Sequence, residues 1–201
     1  MPIISIEGNI GSGKSTLLER IHNRAFEKKV SNIQTIPECL DIWEKIKDGE
    51  KNILELFYEN KKKYAVPFQM LTFLTITYNL MGEMQRMTKD KIVIIERSPI
   101  SNIEIFGRML YDDGIIGEAE WSILKYMANG LMMPVDKIVY LRSKPDDCMQ
   151  RVRLRERDGE EAITIPYLDK VHKRHEEWLS EVPHETIESR EEIDRFIDGL
   201  F

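Results

Sequence analysis

Covalent cross-linking has almost no material here. The chain has 201 residues and only 2 cysteines, Cys39 and Cys148. So sparse a pair makes neither a disulfide framework nor a metal-ligand spacing, and a reducing compartment is expected. No apolar run approaches the roughly 20 residues that span a bilayer. No signal peptide is expected either, because the first strand pattern begins at residue 2 or 3. A cytoplasmic protein fits both absences, as does a mitochondrial form with its transit peptide trimmed. Basic charge is not in excess. The 29 Lys and Arg are outnumbered by 35 Asp and Glu, leaving a net charge of −6. That balance argues against a nucleic-acid groove as the main business. Repeats, low-complexity tracts and linkers are also missing, so one domain over residues 1–201 is expected. The 42% hydrophobic and 32% charged fractions are those of a soluble globular chain.

What is present begins at residue 8. Gly8-Asn9-Ile10-Gly11-Ser12-Gly13-Lys14-Ser15 is a complete G-x-x-x-x-G-K-[ST] loop, followed by Thr16. Gly8 and Gly13 allow a tight turn that aims backbone N–H groups at an anion. Lys14 suits the β/γ-phosphates and the Ser15 hydroxyl suits Mg²⁺. Ile3-Ile4-Ser5-Ile6 precedes the loop as an apolar strand, and a helical pattern follows it. A helix starting there presents its partly positive N-terminus to the phosphates. The plain alternative is a glycine turn beside a lysine. The strand-loop-helix context favours a nucleoside triphosphate site.

Five apolar runs read as strands: 3–7, 32–37, 91–95, 137–141 and a weaker 185–187. Ile92-Val93-Ile94-Ile95 and Ile138-Val139-Tyr140-Leu141 are apolar at consecutive positions, as in strands buried on both faces. Strands alternating with helices predict an α/β fold: a doubly wound, five-stranded parallel sheet flanked by helices. Residues 66–88 form the longest apolar helical pattern, with Leu71, Leu74, Tyr78, Met81 and Met84 at three-to-four spacing. Core packing is the ordinary explanation for its methionines, and a subunit interface is the alternative. Lys61-Lys62-Lys63 reads as a solvated helix face.

In such sheets ligands sit beyond the carboxyl ends of the strands. Glu38 follows the second strand and could accept a proton from an attacking hydroxyl; stabilising the next helix dipole is the alternative. Glu96-Arg97-Ser98 follows the third. An acid closing a buried strand is the Walker B arrangement for Mg²⁺, and an arginine beside it can bind phosphate or fix a carboxylate. After the fourth strand a helical run holds Arg151, Arg153, Arg155 and Arg157, with Glu160-Glu161 close behind. Arg151 and Arg155 share one helical face, and Arg153 and Arg157 another. A lid closing over a triphosphate, about residues 151–161, explains such a cluster in an acidic chain. Gln69, beside Phe68, is a residue type that reads a nucleobase edge.

Together these pieces resemble the deoxynucleoside kinase family, whose members include deoxycytidine, deoxyguanosine and mitochondrial thymidine kinases. The marks are the loop from Glu7 to Thr16, Pro37-Glu38 with Trp43, Phe68-Gln69, Glu96-Arg97-Ser98 and the arginine lid ending in Glu160-Glu161. Tyr167-Leu168, His172 and His175-Glu176-Glu177-Trp178-Leu179 also resemble the helix that follows the family's lid. The resemblance implies a P-loop kinase fold, an ATP donor with Mg²⁺ and a deoxynucleoside acceptor. Glu38 would take the proton of the sugar 5′-hydroxyl, and Arg97 would hold that carboxylate. Lys14, Ser15 and Glu96 would handle phosphates and metal, and Arg151, Arg155 and Arg157 would close as the lid. Gln69 would read the base, Phe68 and Phe106 would sandwich it, and Trp43 would pack along its edge. Tyr58 and Glu160 would bind the 3′-hydroxyl, with Glu161 as the alternative under a shifted alignment. A homodimer through the long helix and the helix near 118–132 is implied as well.

Two positions depart from deoxycytidine-preferring relatives. Ile76 stands seven residues after Gln69, where they carry arginine, and Asn102 stands four after Ser98, where they carry aspartate. Lack of that pair resembles the thymidine-accepting, broad-specificity members, so pyrimidine deoxynucleosides are expected. Thymidylate-type kinases share the loop and a basic lid, but they commonly follow strand three with an Asp-Arg pair. Here Glu96-Arg97 leads into Ser98-Pro99. A non-catalytic relative would be free to lose Lys14, Glu38 or Arg97, and all three are present.

Overall fold

Five parallel strands in the order β2-β5-β1-β6-β7 carry everything else in the computed structural model, which describes residues 2–86 and 90–201. They are β1 (Ile3–Glu7), β2 (Ile33–Ile36), β5 (Ile92–Glu96), β6 (Lys137–Leu141) and β7 (Glu185–Ile187). The expected strands are therefore all present, with ends shifted by a residue or so. β1 is central, with Ser5 level with Ile95 on one side and Ile138 on the other. Consecutive apolar residues bury to opposite faces. Ile94 joins Leu17, Leu18 and Ile21 of α1 (Lys14–Glu27) and Phe196 of α10 (Arg190–Asp198). Val93 and Ile95 join Leu80 of α4 (Lys61–Arg86) on the other face. Next to them, Tyr140 packs with Val171 and Trp178 of α9 (Ile165–Leu179). This two-sided burial defines the doubly wound α/β architecture.

β1 is also where chain order reverses across the sheet, so a crevice opens at its carboxyl end. The loop of residues 8–13 occupies that crevice. Gly8 (φ 151°) and Gly11 (φ 79°) cannot be replaced freely, since an added Cβ would lie 2.7 Å from the Leu141 carbonyl oxygen and 2.5 Å from that of Cys148.

Elsewhere the structure adds to the expected elements. The long helix begins at Lys61 rather than 66, because the Asn60 side chain accepts the Lys63 N–H at 3.1 Å and caps it. Pro67 sits inside its second turn; the pattern's last two residues, 87 and 88, lie outside the described residues. Two-residue strands β3 (Lys47–Asp48) and β4 (Lys51–Asn52) form an unexpected hairpin around Gly49, at φ 66°. Its two-residue loop is Gly49-Glu50, and the glycine at the first loop position is its sequence signal. α2 (Leu40–Trp43) precedes the hairpin, and α3 (Ile53–Glu59) follows under a complete capping box from Asn52 and Glu55. After β5 run α5 (Pro99–Ser101), a π-helical stretch (Asn102–Gly107) and α6 (Arg108–Asp112). α7 (Glu118–Leu131) lies beside α4, and α8 (Pro145–Arg155) leads to the arginine cluster.

Candidate active site

Beyond the carboxyl ends of β1, β2 and β5 lies a cavity of about 360 Å³. At one end is the phosphate-binding loop. Lys14 is buried with its Nζ donating to the Asn9 carbonyl at 2.8 Å. Asn9 braces the loop, its Nδ2 reaching the Leu168 carbonyl at 2.8 Å and its Oδ1 taking the Ile10 N–H at 2.8 Å. Burial, then the nearby Arg97 guanidinium, brings the Lys14 pKa down to about 8, despite the opposing pull of Glu96, Glu38 and Glu7. Ile10, Gly11, Gly13, Ser15 and Thr16 line the cavity with it. Ser12 is buried in the turn, with its Oγ unpartnered among the described residues.

Glu38 and Arg97 form the centre. They lie 59 residues apart and meet because β2 and β5 are neighbours that end at one rim. Arg97 Nε donates to Glu38 Oε1 at 2.7 Å, and its Nη1 donates to the Gly8 carbonyl at 2.9 Å. Its guanidinium also covers the Phe106 ring at 4.8 Å. The Arg97 backbone is left-handed at φ 62°, a strain of about 1 kcal/mol or more. Burial pushes the Glu38 carboxyl up, but Arg97 and Lys14 outweigh it and hold the group below its ordinary value. Glu38 is thus an ionised acceptor, turned to Arg97 rather than to the start of α2. Glu96 is shifted the other way, by burial first and the Glu38 charge second. Its Oε1 accepts from Ser15 Oγ at 3.0 Å.

The far end is enclosed and aromatic. Trp43 and Phe68 meet edge to face at 5.6 Å, and Phe57 lies 4.8 Å behind Phe68. Trp43 Nε1 donates to Thr75 Oγ1 at 3.2 Å. Gln69, Ile76 and Asn102 are buried in the wall. Thr72 Oγ1 donates to the Gln69 carbonyl at 3.0 Å, so towards Asn102 it can only accept, and it takes the Asn102 Nδ2. Gln69 Oε1 and Asn102 Oδ1 are left as buried acceptors with no partner among the described residues. Polar groups so placed await a polar ligand. Tyr58 faces Tyr167 at 6.3 Å, and burial drives its hydroxyl pKa well up.

The arginine segment departs from the expected continuous helix. α8 stops at Arg155, and Glu156 turns left-handed at φ 45°. Arg153 and Arg157 therefore do not share a helical face. Arg153 is exposed and lines no part of the cavity, whereas Arg157 folds back. The cause is an ion-pair cluster: Arg155 Nε lies 2.6 Å from Glu160 Oε2, and Arg157 Nη1 lies 3.2 Å from Glu160 Oε1. Glu160 is buried on the cavity wall, and Glu161 is exposed away from it. Arg151 Nη1 reaches the Gly11 and Ser12 carbonyls, both at 3.2 Å.

All ten residues expected to contact substrate line this one cavity. Further lining residues have no role assigned from the sequence. Phe57 falls on one face of α3 with Leu54 and Tyr58, a three-and-four spacing that marks it. Tyr167 was part of the family-like stretch but had no role assigned. Lys61 departs from a solvated face: it lines the cavity, with its Nζ 4.7 Å from the Tyr167 ring centre. The π-helical stretch that presents Asn102 and Phe106 has no sequence signal, although such bulges often mark functional sites.

The chain matches the deoxynucleoside kinase family profile over residues 4–198. It is 34% identical over 182 residues to a probable deoxycytidine kinase of fowlpox virus, covering 89% of this chain and 72% of that one. Bovine deoxycytidine kinase is 31% identical over 193 residues, covering 88% and 74%. Thymidine kinase of ictalurid herpesvirus 1 is 34% identical over 206 residues, covering 98% and 85%. A profile that spans nearly the whole chain, a phosphate loop facing a Glu–Arg pair and an enclosed aromatic pocket agree: the chain belongs to the deoxynucleoside kinase family.

Proposed function

We propose that the protein transfers the γ-phosphoryl group of ATP to the 5′-hydroxyl of a pyrimidine deoxynucleoside, thymidine included, in nucleotide salvage. The observation that carries this reading is Glu38. An ionised carboxylate, oriented by Arg97, opens onto the same cavity as the buried Lys14. Glu38 takes the 5′-hydroxyl proton as the oxygen attacks the γ-phosphorus. Arg97 keeps the base in line, and Lys14 and the loop N–H groups meet the charge on the donor phosphates. Arg151, Arg155 and Arg157 bring further positive charge when the lid closes. Tyr58 and Glu160 take the sugar 3′-hydroxyl, and Phe68, Phe106 and Trp43 enclose the base that Gln69 reads. Ser15 and Glu96 offer two hard oxygen donors 3.0 Å apart beside the loop, and burial leaves Glu96 without full charge compensation. These suit Mg²⁺, which keeps several waters and binds by a few protein oxygens. Held there, the ion would neutralise part of the phosphate charge.

Buried Ile76 supports the base preference, because it puts an apolar side chain in the wall instead of a cation. A coupled assay of ADP formation tests the reading. Thymidine and deoxycytidine are expected to exceed deoxyadenosine in kcat/KM by at least about tenfold, the range one pocket contact supplies. A clear purine preference overturns the pyrimidine assignment, and turnover only with monophosphates overturns the acceptor class.

A homodimer is part of the same proposal. Tyr78 and Met81 of α4 and Ile123 and Tyr126 of α7 are exposed by 68%, 37%, 56% and 83%, on helices that lie side by side. Such an apolar patch is typical of an interface. Light scattering is expected to give twice the 23.7 kDa chain mass, and Tyr126→Asp should yield monomer. A wild-type monomer at working concentration refutes the dimer.

A further inference from the structure

The mechanism leaves one carboxylate at the centre of the fold unused. Glu7 ends β1, just before the phosphate-binding loop, and is fully buried. Its Oε1 accepts from the Ser98 N–H at 2.9 Å, from Ser98 Oγ at 2.6 Å and from Ser5 Oγ. Its Oε2 has no partner among the described residues. Burying a charge is costly, and an apolar side chain would serve packing better, so the acid needs another reason.

The reason lies in what it grips. Ser98 directly follows Arg97, whose left-handed backbone relaxes unless its surroundings hold it. Both sides of this bend are tied to β1. The Arg97 N–H donates to the Ile6 carbonyl at 3.1 Å, and Ser98 donates twice to Glu7. Ser98 Oγ in turn accepts the Ser101 N–H at 3.1 Å and caps the helix beyond. A single carboxylate oxygen can take an N–H and two hydroxyls at once, which no apolar residue can do. With the bend locked, the guanidinium reaches both Glu38 and the Gly8 carbonyl.

We propose that Glu7 is a positioning residue for phosphoryl transfer: its carboxylate locks the Arg97–Ser98 bend against β1 and so holds the Arg97 guanidinium on Glu38. The catalytic consequence rests on the reading of Glu38 as base; the positioning does not.

The test is E7Q in the full chain, which keeps shape and one acceptor oxygen but loses the charge. Solvent exchange of the Arg97 Nε–H, followed by ¹⁵N NMR, should accelerate about tenfold or more as the bend loosens. In the same protein kcat should fall about tenfold, with both KM values within about twofold of wild type, the pattern of a lost transition-state interaction. Added to R97K, E7Q should cost nothing more in kcat, since Glu7 acts through Arg97. A folded E7Q protein with wild-type Arg97 exchange and wild-type kcat overturns the proposal, and so does additivity with R97K. Should E7Q fail to fold, S98A and S5A replace it, because each removes one donor and leaves the carboxylate. Faster Arg97 exchange in these supports the proposal, and unchanged exchange in both overturns it. If wild type phosphorylates no deoxynucleoside, the functional reading falls alone, while the exchange measurement still decides the role of Glu7.

Discussion

Replacing Glu38 by glutamine is expected to lower kcat for deoxynucleoside phosphorylation by about 10³-fold, the scale of a lost general base. The amide keeps the side-chain shape, and its oxygen can still accept from Arg97 Nε, so the cavity and both KM values should change little. What disappears is the group that takes the 5′-hydroxyl proton. The wild-type pH profile carries a linked signature. The Arg97 and Lys14 charges outweigh burial and hold the Glu38 carboxyl below its ordinary value. A base with a depressed pKa stays ionised until the solution is distinctly acidic. The acid limb of kcat/KM, which reports the free enzyme, should therefore fall below the ordinary glutamate range of about pH 4.3, leaving kcat/KM flat around pH 6. Stopped-time assays of wild type and E38Q across this range check both points. An E38Q enzyme within about tenfold of wild type would show that water or phosphate oxygen takes the proton instead.

Lys14 carries the second large effect. Lys14→Met should reduce kcat/KM for ATP by about 10³-fold, since it removes a buried cation from where phosphate charge develops. Titration sharpens the expectation. In the free protein, burial and the Arg97 charge bring Lys14 to about 8. An anionic donor binds the protonated form better, so ATP affinity should decline as pH rises through about 8. Binding raises the lysine pKa, so protons are taken up on binding just above that pH. Calorimetry in buffers of different ionisation enthalpy reads this uptake directly. Affinity that stays constant from pH 7 to about 9, with no proton uptake, would show that Lys14 is not the titrating contact. The same depressed pKa bears on stability with a definite sign. Between about 8 and the ordinary value of 10.5, the unfolded chain binds more protons, so this lysine's contribution to stability improves as pH rises through that window.

The parts of the site that could be read ahead share one property: their signals are local. The phosphate loop is contiguous, and its glycines occupy left-handed or unusual φ values that the motif itself demands. Glu96 could be placed on the rim because it closes an apolar strand, and Glu38 because it lies two residues past the end of another. Gln69, Tyr58 and Phe106 needed family likeness, because an amide or an aromatic on a helix looks the same in any core. The arginine segment misled for a physical reason. Helical spacing pairs Arg153 with Arg157, but the double ion pair to Glu160 outweighs helix continuation and turns Glu156 left-handed. Lys61 looked like solvent-facing charge because a run of three lysines usually is. Only the fold shows that its first member packs over Tyr167.

By itself the sequence determined the doubly wound sheet and the cradle for a triphosphate. Period, strand-loop-helix contiguity and glycine placement are properties of short segments, and short segments are what a sequence displays. Family likeness names Arg97 as the partner of Glu38, but only the tertiary structure decided how distant acids and their partners are brought together. Glu38 finds Arg97 across 59 residues, and Ser98 finds Glu7 across 91. Those meetings follow from β2, β5 and β1 lying side by side with their ends level. Strand order is set by the packing of helices on both faces, a global free-energy balance that no local pattern encodes.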